Sequence, residues 1–232
     1  MSGHLPPLVP IVFGSTVFAI LGYFFSLVFS TRKSWLGSLF ILLVLASWLV
    51  LQTVLSISGF YLVTDTFPPR FLCMVLPPLL FLILLFLLPA GRDWIDKIPP
   101  ESLVYLHLSR IPVELVLYWL AMYGWLPIHM TFVGWNFDIL VGLTAPIIAY
   151  LILNKPSGSK NLILLWNIIG LIFLFNIVFL GILSAPGPFQ KLSFETPNKA
   201  VLQFPYVWLP SFVVPSVLFA HIVSIRKRFL TN

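Results

Sequence analysis

Residues 34–59 read SWLGSLFILLVLASWLVLQTVLSISG, an unbroken run with no charged side chain. Coiled as a helix at about 1.5 Å per residue, the run is roughly 39 Å long, more than the ~30 Å hydrocarbon core of a bilayer. It has no polar face to turn toward water, so a surface helix of a soluble domain is excluded. Similar runs lie on both sides of it, at 8–30, 71–89, 102–121, 135–153, 161–184 and 201–224. Together they predict an all-α membrane protein: a bundle of about seven transmembrane helices forming a single domain over residues 1–232.

Composition agrees with this reading. The chain is 59% hydrophobic and 9% charged, with a mean hydropathy of +1.04, whereas soluble domains carry about 25% charged residues. The material for a polar coat is missing. The longest polar interval is about 185–199, too short for a soluble domain. The formal charge of +6 does not point to nucleic acid, because the basic residues sit in short clusters between the apolar runs. Arg32, Lys33, Arg92, Lys97, Lys155, Lys160, Arg226, Lys227 and Arg228 fall on one side, and Arg70, Lys191 and Lys199 on the other. The positive-inside bias makes the first side cytoplasmic, which with seven spans gives N-out and C-in. No Lys or Arg precedes the first apolar run in MSGHLPPLVP, so the basic region of a secretory signal is lacking and the run is expected to stay as a span. Cys73 is the sole cysteine. It rules out an internal disulfide and a cysteine-based metal site, and packing is its expected role.

The run at 102–121 is the least uniform. Around it the sequence is YLHLSRIPVELVLYWLAMYGW, and at 100° per residue His107, Arg110, Glu114 and Tyr118 fall within an arc of about 80°. Arg110 and Glu114 are spaced i,i+4 and can pair. A central Arg or acidic residue costs about 2.5–3.5 kcal/mol to insert, and each Leu, Ile or Val offsets about 0.3–0.6. Eight such aliphatic residues offset roughly 4 kcal/mol, less than the two charges cost together. The stripe is therefore expected to face the bundle interior, as a polar site or proton path; the plain alternative is an ion pair that fixes helix packing. Pro112 between the charges frees the carbonyl of Leu108. Pro77, Pro78, Pro146, Pro210 and Pro215 also fall inside spans, where kinks are common with or without function.

In LPIHMTFVGWNFDILVGLTAPIIAY, Asn136 can cap the following helix, with Asp138 in its first turn where the helix dipole favours an acid. Alternatively both join Glu114 and Tyr118 in one outer-leaflet site. Trp119, Trp125 and Trp135 fit an interfacial aromatic belt. Asn167 and Asn176, nine residues apart, lie on opposite faces of one helix. Asn176 is the better candidate for the site, and Asn167 is expected to bond between helices. Gln52 and Ser56 make an i,i+4 pair with the same interhelical expectation. The loop carrying Gln190, Lys191, Glu195 and Lys199 is read as a plain loop, with a lid as the alternative. His107 and His221 lie at matched depth, as two ligands of a b-type haem would, but a second histidine pair is absent. Retinal is argued against because the last span has no lysine. No Asp/Glu-Arg-Tyr triplet ends the third span, as it would in a G-protein-coupled receptor. HExxH, phosphate-loop and GxSxG motifs are absent as well.

The stretch MTFVGWNFDILVGLTAPIIAY, with SRIPVELVLYWL before it and WNIIGLIFLFNIVFLGILSAPGPFQ after it, resembles a group of bacterial multi-pass membrane proteins with no established activity. The likeness runs from about residue 59 to 232. It implies a bacterial inner-membrane location and transfers no catalytic residue. The residues themselves point first to a polar intramembrane site for small-molecule or proton-coupled transport, built on Arg110, Glu114, Tyr118, Asn136, Asp138 and Asn176. The lipid bilayer is the evident partner, with a hydrophobic or small polar ligand beside it. The alternatives are an intramembrane enzyme acting on a lipid or isoprenoid-like substrate, and a structural or assembly protein.

Overall fold

A computed structural model describes residues 5–155 and 160–230, with the side chains of 228–230 outside the description. The loop residues between Lys155 and Lys160, and the side chain of Arg228 counted above on the basic side, therefore lie outside the described residues. The described chain is all-helical, without strands. In order come α1 (Leu8–Arg32), α2 (Trp35–Ile57), α3 (Leu72–Leu87), α4 (Pro89–Ile95), α5 (Pro100–Leu106), α6 (Arg110–Met122), α7 (Asp138–Asn154), α8 (Lys160–Ser184) and α9 (Val214–Leu230).

The distribution of side chains is that of a protein solvated by lipid. Large apolar residues point outward, among them Leu36 at 77% exposure and Ile57 at 69%, while Gln52, His107, Arg110, Glu114, Asn167 and His221 are buried. Among the described residues, five helical stretches are long and apolar enough to cross a membrane: Leu8–Arg32, Trp35–Ile57, Pro100–Met122, Lys160–Ser184 and Leu209–Lys227. A sixth arises if α3 and α4 count as one span, and α7, at 17 residues, is a shorter apolar helix. The seven expected runs thus map onto helices of unequal reach.

Local sequence explains where the boundaries differ. The run 71–89 ends early because Leu88, preceding Pro89, is held extended. The chain turns there by 89° into α4, and a Cβ on Gly91 would strike the carbonyl of Leu85. The last run starts at Leu209 rather than 201. Its first stretch holds a 3₁₀ turn at Ala200–Leu202, and its helix opens with one π turn, Leu209–Val213. Cys73, for which packing was the expected role, is exposed. The loop after α8 is held down: Asn198 N–H donates to the Ser184 carbonyl at 2.8 Å, and Lys199 and Ala200 N–H to that of Trp125 at 3.1 and 3.2 Å. Gln52 and Ser56 bond separately, Gln52 Oε1 accepting from Tyr61 at 2.6 Å and Ser56 donating to the Leu202 carbonyl at 3.0 Å.

Candidate functional site

The polar residues meet where α6, α7, α8 and α9 converge. Pro112 cannot donate to Leu108, and the chain tightens at this point into a 3₁₀ turn, His107–Ser109, that separates α5 from α6. Ser109 turns its hydroxyl back onto the Leu106 carbonyl at 2.7 Å. His107, Arg110 and Glu114 then all point inward, with Arg110 and Glu114 each 2% exposed.

The anionic partner of Arg110 is Asp138, not Glu114. Arg110 Nη1 donates to Asp138 Oδ1 at 2.6 Å. The i,i+4 pairing expected within the helix gives way to a bond between helices, because the first turn of α7 brings a carboxylate to the guanidinium. Arg110 Nη2 donates to His221 Nε2 at 3.1 Å. A guanidinium can only donate, so Nε2 accepts and the proton sits on Nδ1, which donates to Asn167 Oδ1 at 2.9 Å. Asn167 in turn donates to the Ile163 carbonyl at 2.8 Å. One chain of bonds therefore links α7, α6, α9 and α8.

Glu114 is held from the other side. Asn136 Nδ2 donates to Glu114 Oε1 at 2.6 Å and to the Met130 carbonyl at 3.1 Å, while Asn136 Oδ1 accepts from Asp138 N–H at 3.0 Å. Asn136 thus holds the first N–H of α7 with its oxygen and Glu114 with its nitrogen. Among the described residues, Glu114 Oε2 is buried without a partner. It lines a cavity of about 140 Å³ between α3, α6, α8 and the π turn. Apart from Arg110, Glu114, Asp138 and Asn198, the wall is nonpolar, with residues such as Phe71, Leu174 and Val213. Asn198 is wholly buried, and both polar atoms of its side-chain amide lack partners among the described residues. Nothing in the sequence marks it, since an asparagine in a Pro-containing loop lies outside any helical periodicity.

Two expected members stand apart. Tyr118 packs its ring on Phe132, with centroids 5.2 Å apart, and is not part of the cavity wall. Asn176 donates to the Trp135 carbonyl at 2.7 Å. Asn176 therefore stays out of the bonded network, whereas Asn167 makes the bond between helices expected of it, to His221 on α9. The histidines do come together, but not as a haem pair. The rings of His107 and His221 have centroids 4.0 Å apart, which leaves no room for a macrocycle between them, and both His221 nitrogens are engaged. Trp166 packs against both rings at 5.2 and 5.7 Å. A Cβ on Gly170 would strike the His221 ring, so α8 approaches α9 closely here.

Residues 68–228 match the model of a family described as a domain of unknown function (DUF8737), and the chain belongs to that family. The match begins just before α3 and includes every residue of the bonded network. No curated protein and no solved structure matches the chain.

Proposed function

We propose that this is a seven-pass protein of a bacterial inner membrane, N-out and C-in, that carries a small, mainly apolar molecule with a hydrogen-bonding head in step with a proton. One observation carries this reading: Glu114 Oε2 and the amide of Asn198 are buried, unpartnered, and open into the same largely apolar cavity. Buried polar atoms without partners cost roughly 1–3 kcal/mol each. A ligand whose head donates to the carboxylate and bonds the amide offsets that cost, while its body fills the apolar wall. Asn136 links this carboxylate to Asp138, and from Asp138 the bonded chain runs through Arg110 to His221 inside the bundle, a polar route of the kind a proton path uses. The nine-to-three division of basic residues between the loops supports the orientation.

The test is native mass spectrometry and small-molecule extraction of the purified protein, wild type against Gly181→Leu. Gly181 lines the cavity, and a Cβ there meets Met130 Cε and Asn198 Nδ2 at 3.5 and 3.9 Å, ordinary contact, so the longer side chain takes up cavity space. Wild type is expected to retain a molecule of the stated kind that G181L loses. In liposomes enclosing a pH-sensitive dye, that molecule should move protons with wild type and fail to do so with Glu114→Gln. Equal retention by G181L removes the cavity as the site, and equal proton movement by E114Q removes the coupling.

A further inference from the structure

A second cavity, of about 260 Å³, lies between α2 and α3, backed by α1 and α9. Its wall includes Val28, Val44, Trp48, Pro78, Phe81 and Phe219. Val44 and Phe81 form the exposed lip of the cavity. The polar groups along the wall are nearly all occupied. Trp48 Nε1 donates to the Ser211 carbonyl and Trp94 Nε1 to Thr31 Oγ1, both at 2.9 Å. Ser211 and Ser216 turn their hydroxyls onto the backbone carbonyls four residues before them, at 2.8 and 2.7 Å. The interior of this groove therefore suits hydrocarbon alone.

The exception is Arg32, which lines the groove at the end of α1, is exposed, and has no anionic partner among the described residues. Lys33 follows it, and the Trp94–Thr31 bond brings α4, with exposed Arg92, to the same end. Of the acids nearby, Asp96 is taken by Arg226 through two bonds of 3.1 Å, which leaves Asp93 against three cations. An apolar slot that ends in surplus positive charge matches an acyl chain joined to an anionic head.

We propose that this groove holds one acyl chain of an anionic phospholipid whose phosphate rests on Arg32, with Lys33 and Arg92 adding to the attraction. A zwitterionic head brings its own cation and gains less from the cluster. Each basic residue near the surface is worth roughly fivefold in affinity for an anionic lipid. The slot follows α1 from Phe24 to Arg32, about 12 Å of helix rise, which suits the upper part of one chain.

The experiment is native mass spectrometry of the full chain exchanged into detergent containing phosphatidylglycerol or phosphatidylcholine of matched acyl chains. Wild type is expected to retain phosphatidylglycerol preferentially. Arg32→Gln should lower that retention roughly fivefold, toward the phosphatidylcholine level, with the melting temperature unchanged because Arg32 is exposed and unpaired. Val44→Trp, which fills the slot from its lip, should lower retention of both lipids. Equal retention of the two lipids by wild type, or undiminished phosphatidylglycerol on R32Q, overturns the proposal. So does a dimer that loses its interface in V44W, because a second copy would then occupy the groove.

Discussion

Arg110 and Asp138, twenty-eight residues apart in the chain, share a hydrogen bond of 2.6 Å inside the bundle. Removing one member of a buried pair leaves the other charge without compensation, at a cost of about 3–5 kcal/mol. Arg110→Gln and Asp138→Asn are each expected to destabilise by that order. Their combination should lose clearly less than the sum. The same cycle between Arg110 and Glu114 should show no comparable recovery. Chemical denaturation in detergent measures all five variants and wild type; recovery in the Arg110/Glu114 cycle alone would falsify the assigned partner.

Asn136 is predicted to matter through its amide nitrogen as well as its capping oxygen. Asn136→Ala removes the cap, worth about 0.5–2 kcal/mol, and also leaves the Glu114 and Met130 oxygens it served without a donor. Asn136→Asp retains an acceptor for the Asp138 N–H but loses both donors and sets a carboxylate against Glu114. If capping were its whole role, N136D would melt with wild type. The expected result is that N136D melts no higher than N136A.

Glycine substitutions in α8 should separate close packing from ordinary contact. At Gly170 an added methyl meets the His221 ring, so Gly170→Ala is expected to cost about 1–3 kcal/mol through overpacking. At Gly181 the nearest atom, Met130 Cε, is 3.5 Å from the added carbon. Gly181→Ala should therefore stay within about 0.5 kcal/mol of wild type. Thermal melts of the two variants side by side decide this, and equal losses would contradict the helix contact at Gly170.

A pH effect is expected at the loop histidine outside the spans. Burial pushes the His129 imidazole below its ordinary value of 6.5, and its Nε2 lies 3.2 Å from Ser184 Oγ. The folded chain then prefers the neutral ring, and the unfolded chain takes up the proton first as pH falls. The stability from this preference is full above about pH 6.5 and declines below it. The difference in melting temperature between wild type and His129→Asn should accordingly shift against wild type from pH 7.5 to 5. A difference that stays constant over that range would show that the ring does not titrate against the fold.

The class of protein was legible because hydropathy is a property of consecutive residues, and a run such as 34–59 has one stable setting. The inward stripe of α6 was legible for a related reason: helical periodicity places Arg110 and Glu114 on one arc, and lipid repels both. The partner of Arg110 was not, because a long side chain can reach a carboxylate on another helix as easily as one four residues on. Depth reasoning favoured Asn176 over Asn167 because it assumed a site gathered at the outer end. The network runs inward instead, toward His221. Asn198 was out of reach altogether, since it arrives on a loop whose course is set by backbone bonds to Ser184 and Trp125.

The π turn at Leu209–Val213 gives the last helix two fixed ends. On its near side Trp208 is tied to the Leu49 carbonyl at 3.0 Å, and on its far side His221 is tied to Arg110 and Asn167. A π turn accommodates one residue more than the α-helical winding around it. Winding the same residues as a regular α-helix would swing everything beyond the turn by about 100°, carrying the imidazole off its two partners. The extra residue acts as a phase adjustment, allowing one helix to stay in register with two landmarks that a uniform winding would bring round at different angles.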